Sequence, residues 1–142
     1  DVLKNKSCRV VLTPHPKEFA RLIGKTVEDV LVNSVKYAKE FAKEFGVILV
    51  LKNNRTVITD GERVCLNPTG SSCLAKGGSG DVLTGFLTGT CARGVSPFEA
   101  AVVSAYVLGR AGELAEEGMG QYAPDASDII AYLSRAMRSL EL

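Results

Sequence analysis

The sequence lacks several residue types and patterns, and each absence excludes a class of protein. Its 142 residues include no Trp and only 6% aromatic side chains, so a stacking platform for nucleic-acid bases is not expected. Lys and Arg number 17 against 16 Asp and Glu, whereas nucleic-acid binders usually carry a basic excess. No apolar run approaches the roughly 18 residues that span a bilayer. We therefore expect neither a nucleic-acid partner nor a membrane partner.

The few cysteines and the single histidine also restrict the chemistry. Cys8, Cys65, Cys73 and Cys91 are widely spaced and form no C-x-x-C pair. With His15 as the only histidine, the chain has no zinc-ligand pattern, and we expect no metal-ligating residues. Most of the cysteines lie in apolar or small-residue runs, which is typical of buried, reduced thiols. Since no signal peptide opens the sequence, we expect a cytoplasmic protein.

What the sequence does contain is the pattern of a folded α/β domain. Hydrophobic residues make up 46% and charged residues 23%, as in ordinary globular proteins. Periodicity predicts strands and helices that alternate, with strands at 8–12, 47–51, 56–59 and 62–66 and helices at 17–23, 27–45, 81–92, 97–117 and 126–139. Asp60-Gly61 predicts a hairpin turn between the last two strands. The alternation predicts a mostly parallel sheet flanked by helices, with one β-hairpin.

The segment that suggests chemistry is a glycine-rich turn, Gly77-Gly78-Ser79-Gly80, directly before the helix predicted from Asp81. Glycines let backbone N–H groups approach a ligand, and a helix N-terminus adds partial positive charge. The turn therefore predicts an anion site suited to phosphate. Asp81 lies beside that site, where a carboxylate can take a proton from a substrate hydroxyl. It can equally be an acidic N-cap that serves only the helix.

Two segments resemble the signatures of the NAD(P)H-hydrate dehydratases, the YjeF C-terminal-type members of the ribokinase-like superfamily. They are residues 13–19, Thr-Pro-His-Pro-Lys-Glu-Phe, and residues 77–85, which begin Gly-Gly-Ser-Gly-Asp. The order of parts between them agrees as well and includes Asn-Pro-Thr-Gly at 67–70. The glycine loop alone marks only the superfamily, which includes sugar and vitamin kinases. Together the segments are more specific, and they imply a partial ribokinase-like layered fold.

The resemblance implies a repair reaction. Family members dehydrate hydrated NADH or NADPH, NAD(P)HX, back to NAD(P)H and use ADP or ATP as the driving nucleotide, with Mg²⁺ accompanying the phosphates. His15 matches the family residue that contacts the hydrated nicotinamide. Asp81 matches the catalytic base and a second substrate contact. The adenine nucleotide would be bound by a polar stretch and by the glycine turn, through Lys52, Asn53, Asn54, Arg55, Thr56, Gly77, Gly78 and Gly80.

The sequence departs from the family pattern in composition and in length. Asn53 stands where glycine is usual, and Lys76 replaces a threonine beside the anion site. Residues 1–142 match only the C-terminal half of the dehydratase domain. Half a sheet leaves an unpaired edge, so we expect a homo-oligomer, or an assembly with a chain that covers the missing N-terminal half.

Other interpretations remain open on the sequence alone. The chain can be a small-molecule or sugar kinase of the same superfamily, or an inactive nucleotide-binding fragment. His15, between two prolines, can be a plain turn residue, and Lys52 a solvated strand end. Asn53, Asn54 and Arg55 can form a polar turn with no ligand.

Overall fold

The described residues, 2–140, divide into two units in the computed structural model of the chain. Within the described residues, the first unit comprises 2–67 and Ser96–Ala101, and the second comprises Pro68–Val95 and 102–140. Neither unit is therefore one continuous stretch of the sequence. No helix within residues 2–140 is both long enough and apolar enough to cross a membrane.

The first unit contains one four-stranded sheet in the order β1-β2-β3-β4. Its strands are β1 (Val11–Leu12), β2 (Ile48–Leu51), β3 (Val57–Thr59) and β4 (Val64–Leu66). β1 and β2 are parallel, while β2–β3 and β3–β4 are antiparallel. The predicted α/β class is confirmed, but the sheet is mixed rather than mostly parallel. The chain turns directly from β2 into β3, and a parallel partner would need a crossover connection.

Three helices belong to the first unit: α1 (Pro16–Ile23), α2 (Val27–Val32) and α3 (Ser34–Phe45). Thr26 caps α2 and Gly46 ends α3 in the left-handed conformation, both as predicted. The single helix predicted over 27–45 is wrong, because the chain breaks at Asn33. The Asn33 side chain donates to the backbone oxygen and to the carboxylate of Asp29, at 3.2 and 2.9 Å. Such local hydrogen bonds compete with a continuous helix.

The core of the first unit lies between these helices and the sheet. Phe19 and Phe41 pack edge to face with ring centroids 5.5 Å apart, and β2 contributes the fully buried Leu49. The hairpin at Asp60-Gly61 is confirmed, although its loop has four residues rather than two. A Cβ on Gly61 would lie 2.7 Å from the Lys43 backbone, and its φ of +97° also requires glycine. The hairpin thus packs directly on α3.

The second unit is helical. α4 spans Ser79–Ala92, α5 spans Pro97–Met119 and begins in the segment assigned to the first unit, and α6 spans Ala126–Arg138. The loop predicted before α4 contains a short 3-10 turn at Ser72–Leu74. Asp125 caps α6 by accepting from the N–H groups of Ser127 and Asp128. These helices lie close to their predicted bounds.

The predicted burial of the cysteines is largely wrong. Cys73 is buried, Cys65 and Cys91 are partly exposed, and Cys8 is exposed. Cys8 lies outside the sheet because β1 is only two residues long and begins at Val11. All four are free thiols in the structure.

Candidate functional site

The segments that follow β1 and β2 lie side by side in the first unit. The backbone N–H of Lys52 donates to the carbonyl of Pro14 at 2.9 Å. The carboxyl ends of parallel strands are where α/β folds place ligand groups. His15 and Lys52, predicted from separate parts of the sequence, therefore follow adjacent strand ends.

His15 is the N-cap of α1. The His15 Nδ1 accepts from the backbone N–H of Glu18 at 3.1 Å, and the backbone N–H of His15 donates to Glu18 Oε2 at 2.7 Å. These bonds form a capping box, with Pro16 at the first helical position. Because Nδ1 is an acceptor, the neutral ring carries its proton on Nε2. The side chain is 48% exposed, so the imidazole is accessible to a ligand while it caps the helix.

The polar stretch Lys52–Thr56 forms the turn between β2 and β3. The side-chain oxygen of Asn53 accepts from the Asn54 N–H at 2.8 Å, and that of Asn54 accepts from the Arg55 N–H at 2.8 Å. Thr56 Oγ1 donates to the Asn53 carbonyl at 3.2 Å. Within residues 2–140, no residue other than glycine has a positive φ. Asn53, which stands where the family pattern has glycine, therefore does not adopt a left-handed backbone conformation. The turn is held by its own side chains, and Asn53, Asn54 and Arg55 are exposed.

The glycine turn of the second unit ends in the first turn of α4. Gly78 is the N-cap, with φ +91°, and no side chain caps the helix. The interpretation of Asp81 as an N-cap is therefore wrong, since Asp81 is the third helical residue. Its backbone N–H donates to the Gly78 carbonyl at 3.0 Å, and its side chain is exposed. The α4 N-terminus thus combines the positive end of the helix dipole with an accessible carboxylate.

The loop that leads to this turn lies along one face of α5. Thr69 Oγ1 donates to the Tyr106 carbonyl at 2.9 Å, and Gly109 is so close that a Cβ there would lie 2.2 Å from Thr69 Oγ1. Farther along α5, a Cβ on Gly112 would lie 2.7 Å from the Leu74 side chain. Gly109 therefore admits the loop backbone where a side chain would exclude it, while a side chain at 112 would displace Leu74.

Carboxylates on the same face of α5 hold the beginning of the loop. Glu113 accepts from the Gly70 N–H through Oε1 at 2.9 Å and from Arg110 Nη1 through Oε2 at 2.9 Å. Glu116 accepts from the Ser71 hydroxyl. Sequence reasoning assigned these acids no role. The available signal was their spacing, because residues 109, 112, 113 and 116 share one helix face.

The structure groups the predicted site residues by unit. The first unit holds His15 and Lys52–Thr56, and the second holds Gly77, Gly78, Gly80 and Asp81. Over residues 2–140 there is no cluster of three or more His, Cys, Asp or Glu side chains placed to hold a metal ion. Each unit thus presents its own candidate groups: strand ends with a histidine and a lysine in the first, and a helix N-terminus with a carboxylate in the second.

Comparison with solved structures defines the class of the fold. A ribokinase-like superfamily protein from Enterococcus faecalis superposes with a TM-score of 0.71 at 26% identity, covering 91% of this chain and 44% of that one. The hydroxyethylthiazole kinase of Pyrococcus horikoshii superposes with a TM-score of 0.77 at 21% identity, a likeness of fold alone. The chain has a ribokinase-like fold.

Sequence comparison gives the family. The family model described as NAD(P)H-hydrate dehydratase matches residues 1–135, and the chain belongs to this family. It is 43% identical over 134 residues to a bifunctional NAD(P)H-hydrate repair enzyme Nnr of Moorella thermoacetica, covering 93% of this chain and 25% of that protein. It is 38% identical over 133 residues to the ADP-dependent (S)-NAD(P)H-hydrate dehydratase of Bacillus subtilis, covering 93% of this chain and 48% of that protein.

A solved structure of the Bacillus subtilis ADP/ATP-dependent NAD(P)H-hydrate dehydratase, co-crystallised with ATP and Mg²⁺, is similar over most of the chain. Its TM-score is 0.88 at 36% identity, and the match covers 92% of this chain and 48% of that one. The chain spans between a quarter and a half of the length of these curated relatives.

Proposed function

We propose that this chain supplies the nucleotide turn and the catalytic carboxylate of an ADP- or ATP-dependent dehydration of NAD(P)HX to NAD(P)H. Residues 1–142 would form the C-terminal half of the dehydratase domain. Membership of the NAD(P)H-hydrate dehydratase family supports this assignment. The observation that carries it is the left-handed Gly78 at the N-terminus of α4, with the exposed Asp81 in the first turn. A phosphate at the turn and a hydroxyl at the carboxylate would then lie close together.

The proposed role of Asp81 is that of a general base. Its carboxylate takes the proton of the substrate hydroxyl as that oxygen attacks the terminal phosphorus of the nucleotide. The bond between that phosphorus and the bridging oxygen breaks, and the shortened nucleotide leaves. The carbon–oxygen bond of the new phosphate ester then breaks, with loss of inorganic phosphate and of a proton from the neighbouring atom. The products are NAD(P)H, phosphate and AMP or ADP.

The proposed nucleotide contacts are the glycine turn and the polar stretch. Backbone N–H groups at Gly77, Gly78 and Gly80 would face the phosphates, where the α4 dipole favours negative charge. Lys52–Thr56 would line the adenine nucleotide. Magnesium bound to the phosphates would neutralise charge that develops during transfer, and it commonly needs only one or two protein carboxylates. The exposed Asp81 at the α4 N-terminus is compatible with a metal carried in this way.

His15 is the proposed contact to the hydrated nicotinamide. Its Nδ1 is occupied by the α1 cap and its Nε2 lies 3.3 Å from Glu18 Oε1, so a ligand would take the Nε2–H donor in place of Glu18. The substrate would therefore present an acceptor oxygen to this histidine.

The proposed partners are the rest of the dehydratase domain or further copies of the chain. β1 lies at one end of the strand order, and within residues 2–140 it pairs only with β2. The relatives are at least twice as long as the region they share with this chain, which supports a partner that completes the sheet. We also propose that the protein acts in the cytoplasm, because its proposed role is the repair of a nucleotide cofactor.

Turnover of hydrated NADH with ADP and Mg²⁺ tests the proposal, with Asp81→Asn as the active-site variant. Asp81→Asn keeps the shape of the side chain but removes the base, and we expect a loss of at least about a hundredfold in kcat. Glu28→Gln is the matched control, because Glu28 is an exposed acid in the first turn of α2. It is expected to leave kcat unchanged.

Other results would assign the chain to a different function. Phosphorylation of sugars or vitamins without NADHX turnover would indicate a small-molecule kinase. Nucleotide binding without turnover, unchanged in Asp81→Asn and after the missing half of the domain is added in trans, would indicate an inactive nucleotide-binding module. Activity restored by that addition would instead confirm that the chain carries the chemistry.

A further inference from the structure

A lysine side chain ties the glycine turn to the connection between α5 and α6, residues 120–125. Lys76 Nζ donates to the carbonyl of Tyr122 at 2.6 Å and to the carbonyl of Pro124 at 2.7 Å. Pro124 is fully buried, so its carbonyl belongs to a fixed part of the second unit. Hydrogen bonds from an ionised donor are stronger than neutral ones. One side chain therefore bridges two elements that are far apart in sequence.

Two further close approaches lie on either side of this bridge: one joins the loop before the turn to the α5–α6 connection, and the other joins the turn to α6. Gln121 Nε2 donates to Ser72 Oγ at 2.6 Å. A Cβ on Gly78 would lie 2.8 Å from the Cβ of Ala126, the first residue of α6. Lys76 lies between these contacts in the sequence, two residues before the left-handed N-cap of α4. Its hydrogen bonds thus restrain the part of the loop that enters the turn.

The geometry distinguishes this role from that of a phosphate ligand. An ammonium group has three N–H donors and no acceptor, and two of the Lys76 donors are directed at backbone carbonyls. Threonine, which the family resemblance places at this position, has too short a side chain to make the same bridge. The lysine therefore adds a restraint to this chain.

We infer that Lys76 is a positioning residue, which fixes the Gly77–Gly78 turn so that its N–H groups are already arranged for a nucleotide phosphate. The inference rests on the proposed function of that turn. Preorganised donors bind an anion without the cost of ordering the loop at the moment of binding. The restraint operates before any nucleotide arrives, which makes it measurable in the free protein.

The test measures two quantities in each variant: the amide hydrogen exchange of residues 77–81 in the nucleotide-free chain, and the ADP affinity by calorimetry. Each is compared with its value in the unsubstituted chain. In Lys76→Met we expect exchange to rise and ADP to bind more weakly, each by about tenfold, as the loss of an ionic hydrogen-bonded bridge implies. Lys76→Arg can still reach both carbonyls and should retain most of the protection. Lys39→Met, at an exposed position on α3, should change neither quantity.

Each alternative result contradicts the inference in its own way. Weaker ADP binding with unchanged exchange in the free chain would make Lys76 a direct phosphate ligand. Faster exchange with unchanged ADP affinity would make the bridge purely structural. Absence of ADP binding by the unsubstituted chain would overturn the proposed function itself and the inference with it. Lys76→Thr is a second variant. The inference requires faster exchange and weaker ADP binding in it, as in Lys76→Met.

Discussion

At the scale of single residues, His15 caps α1 and is also the proposed substrate contact, and one substitution can separate the two roles. Asparagine is a good N-cap, whereas alanine at this position costs about 1 kcal/mol. We expect His15→Asn to retain the melting temperature while His15→Ala lowers it, because only the former can still accept from the Glu18 N–H. Both variants should lose substrate affinity, since neither has the Nε2–H donor.

Thermal unfolding and the KM for hydrated NADH, measured on the same preparations, check this expectation. A His15→Asn variant with normal KM would show that the imidazole serves only the helix. Equal melting temperatures for His15→Asn and His15→Ala would contradict the cap geometry.

Gly109 is a second residue whose role follows from a short contact. A methyl group there would lie 2.2 Å from Thr69 Oγ1, so Gly109→Ala should destabilise the chain by about 1–3 kcal/mol through overpacking. Gly89 of α4 is the matched control, because its Cβ position has nothing within 4 Å. Gly89→Ala should be neutral or stabilising by up to about 1 kcal/mol.

Urea unfolding of the two alanine variants measures the difference. Equal unfolding free energies for Gly109→Ala and Gly89→Ala would show that the loop does not pack on α5 as described.

At the scale of elements, the β3–β4 hairpin gives a pH dependence with a definite sign. Burial raises the pKa of Asp60, but hydrogen bonds from Arg63 and from the Glu62 N–H lower it more, and the net pKa lies below its ordinary value. A depressed folded-state pKa stabilises the protein above the ordinary carboxyl pKa of about 4. That contribution is lost as the pH falls through the lower, folded value.

We therefore expect the melting temperature to fall between about pH 5 and pH 3, and to fall less steeply in Asp60→Asn. Some slope should remain in that variant, because the pKa of Asp125 is also lowered, mainly by the backbone hydrogen bonds from Asp128 and Ser127. Melting curves at several pH values check this. A slope identical in the variant and the unsubstituted chain would show that Asp60 is not coupled to stability.

The elements also show which parts of the structure can be predicted from sequence. Short-range signals were sufficient for the helix ends at Thr26 and Gly46 and for the Asp60-Gly61 hairpin, because each depends on one or two residues. The break at Asn33 was missed, since the apolar period continues across it and the break depends on a side-chain bond to Asp29.

Long-range contacts account for most of what the sequence could not predict at the candidate site. The glycine turn was predicted from a local pattern and His15 from the family resemblance, but the bridge made by Lys76 joins residues 46 and 48 positions apart. Glu113 is the same kind of case. Its contact with the Gly70 N–H joins residues 43 positions apart, and no local pattern specifies that pairing.

At the scale of the whole molecule, the exposed end of the sheet has a predicted effect on association. Leu22 of α1 is 51% exposed and lines an open depression together with Leu12 of β1. Exposed apolar surface favours association when it lies beside a strand edge that has no partner, as one edge of β1 has none within residues 2–140. We expect the chain to self-associate as its concentration rises, and Leu22→Lys to weaken that association.

Sedimentation velocity over a range of concentrations measures the effect. Ile130→Lys on α6 is the control, because Ile130 is similarly exposed at 56% but lies in the second unit. Equal weakening by both substitutions would indicate general solubility rather than a surface near β1.

The packing of the loop on α5 also constrains how the sequence can change over time. A Cβ at position 109 would lie 2.7 Å from the backbone carbon and oxygen of Thr69 as well as close to its side chain, so a smaller residue at 69 does not make room for it. In a library randomised at 69, 89 and 109, survivors should therefore retain glycine at 109 whatever residue stands at 69, whereas position 89 would vary. A fixed glycine at this place would be a recognisable mark of the loop's placement in distant sequences.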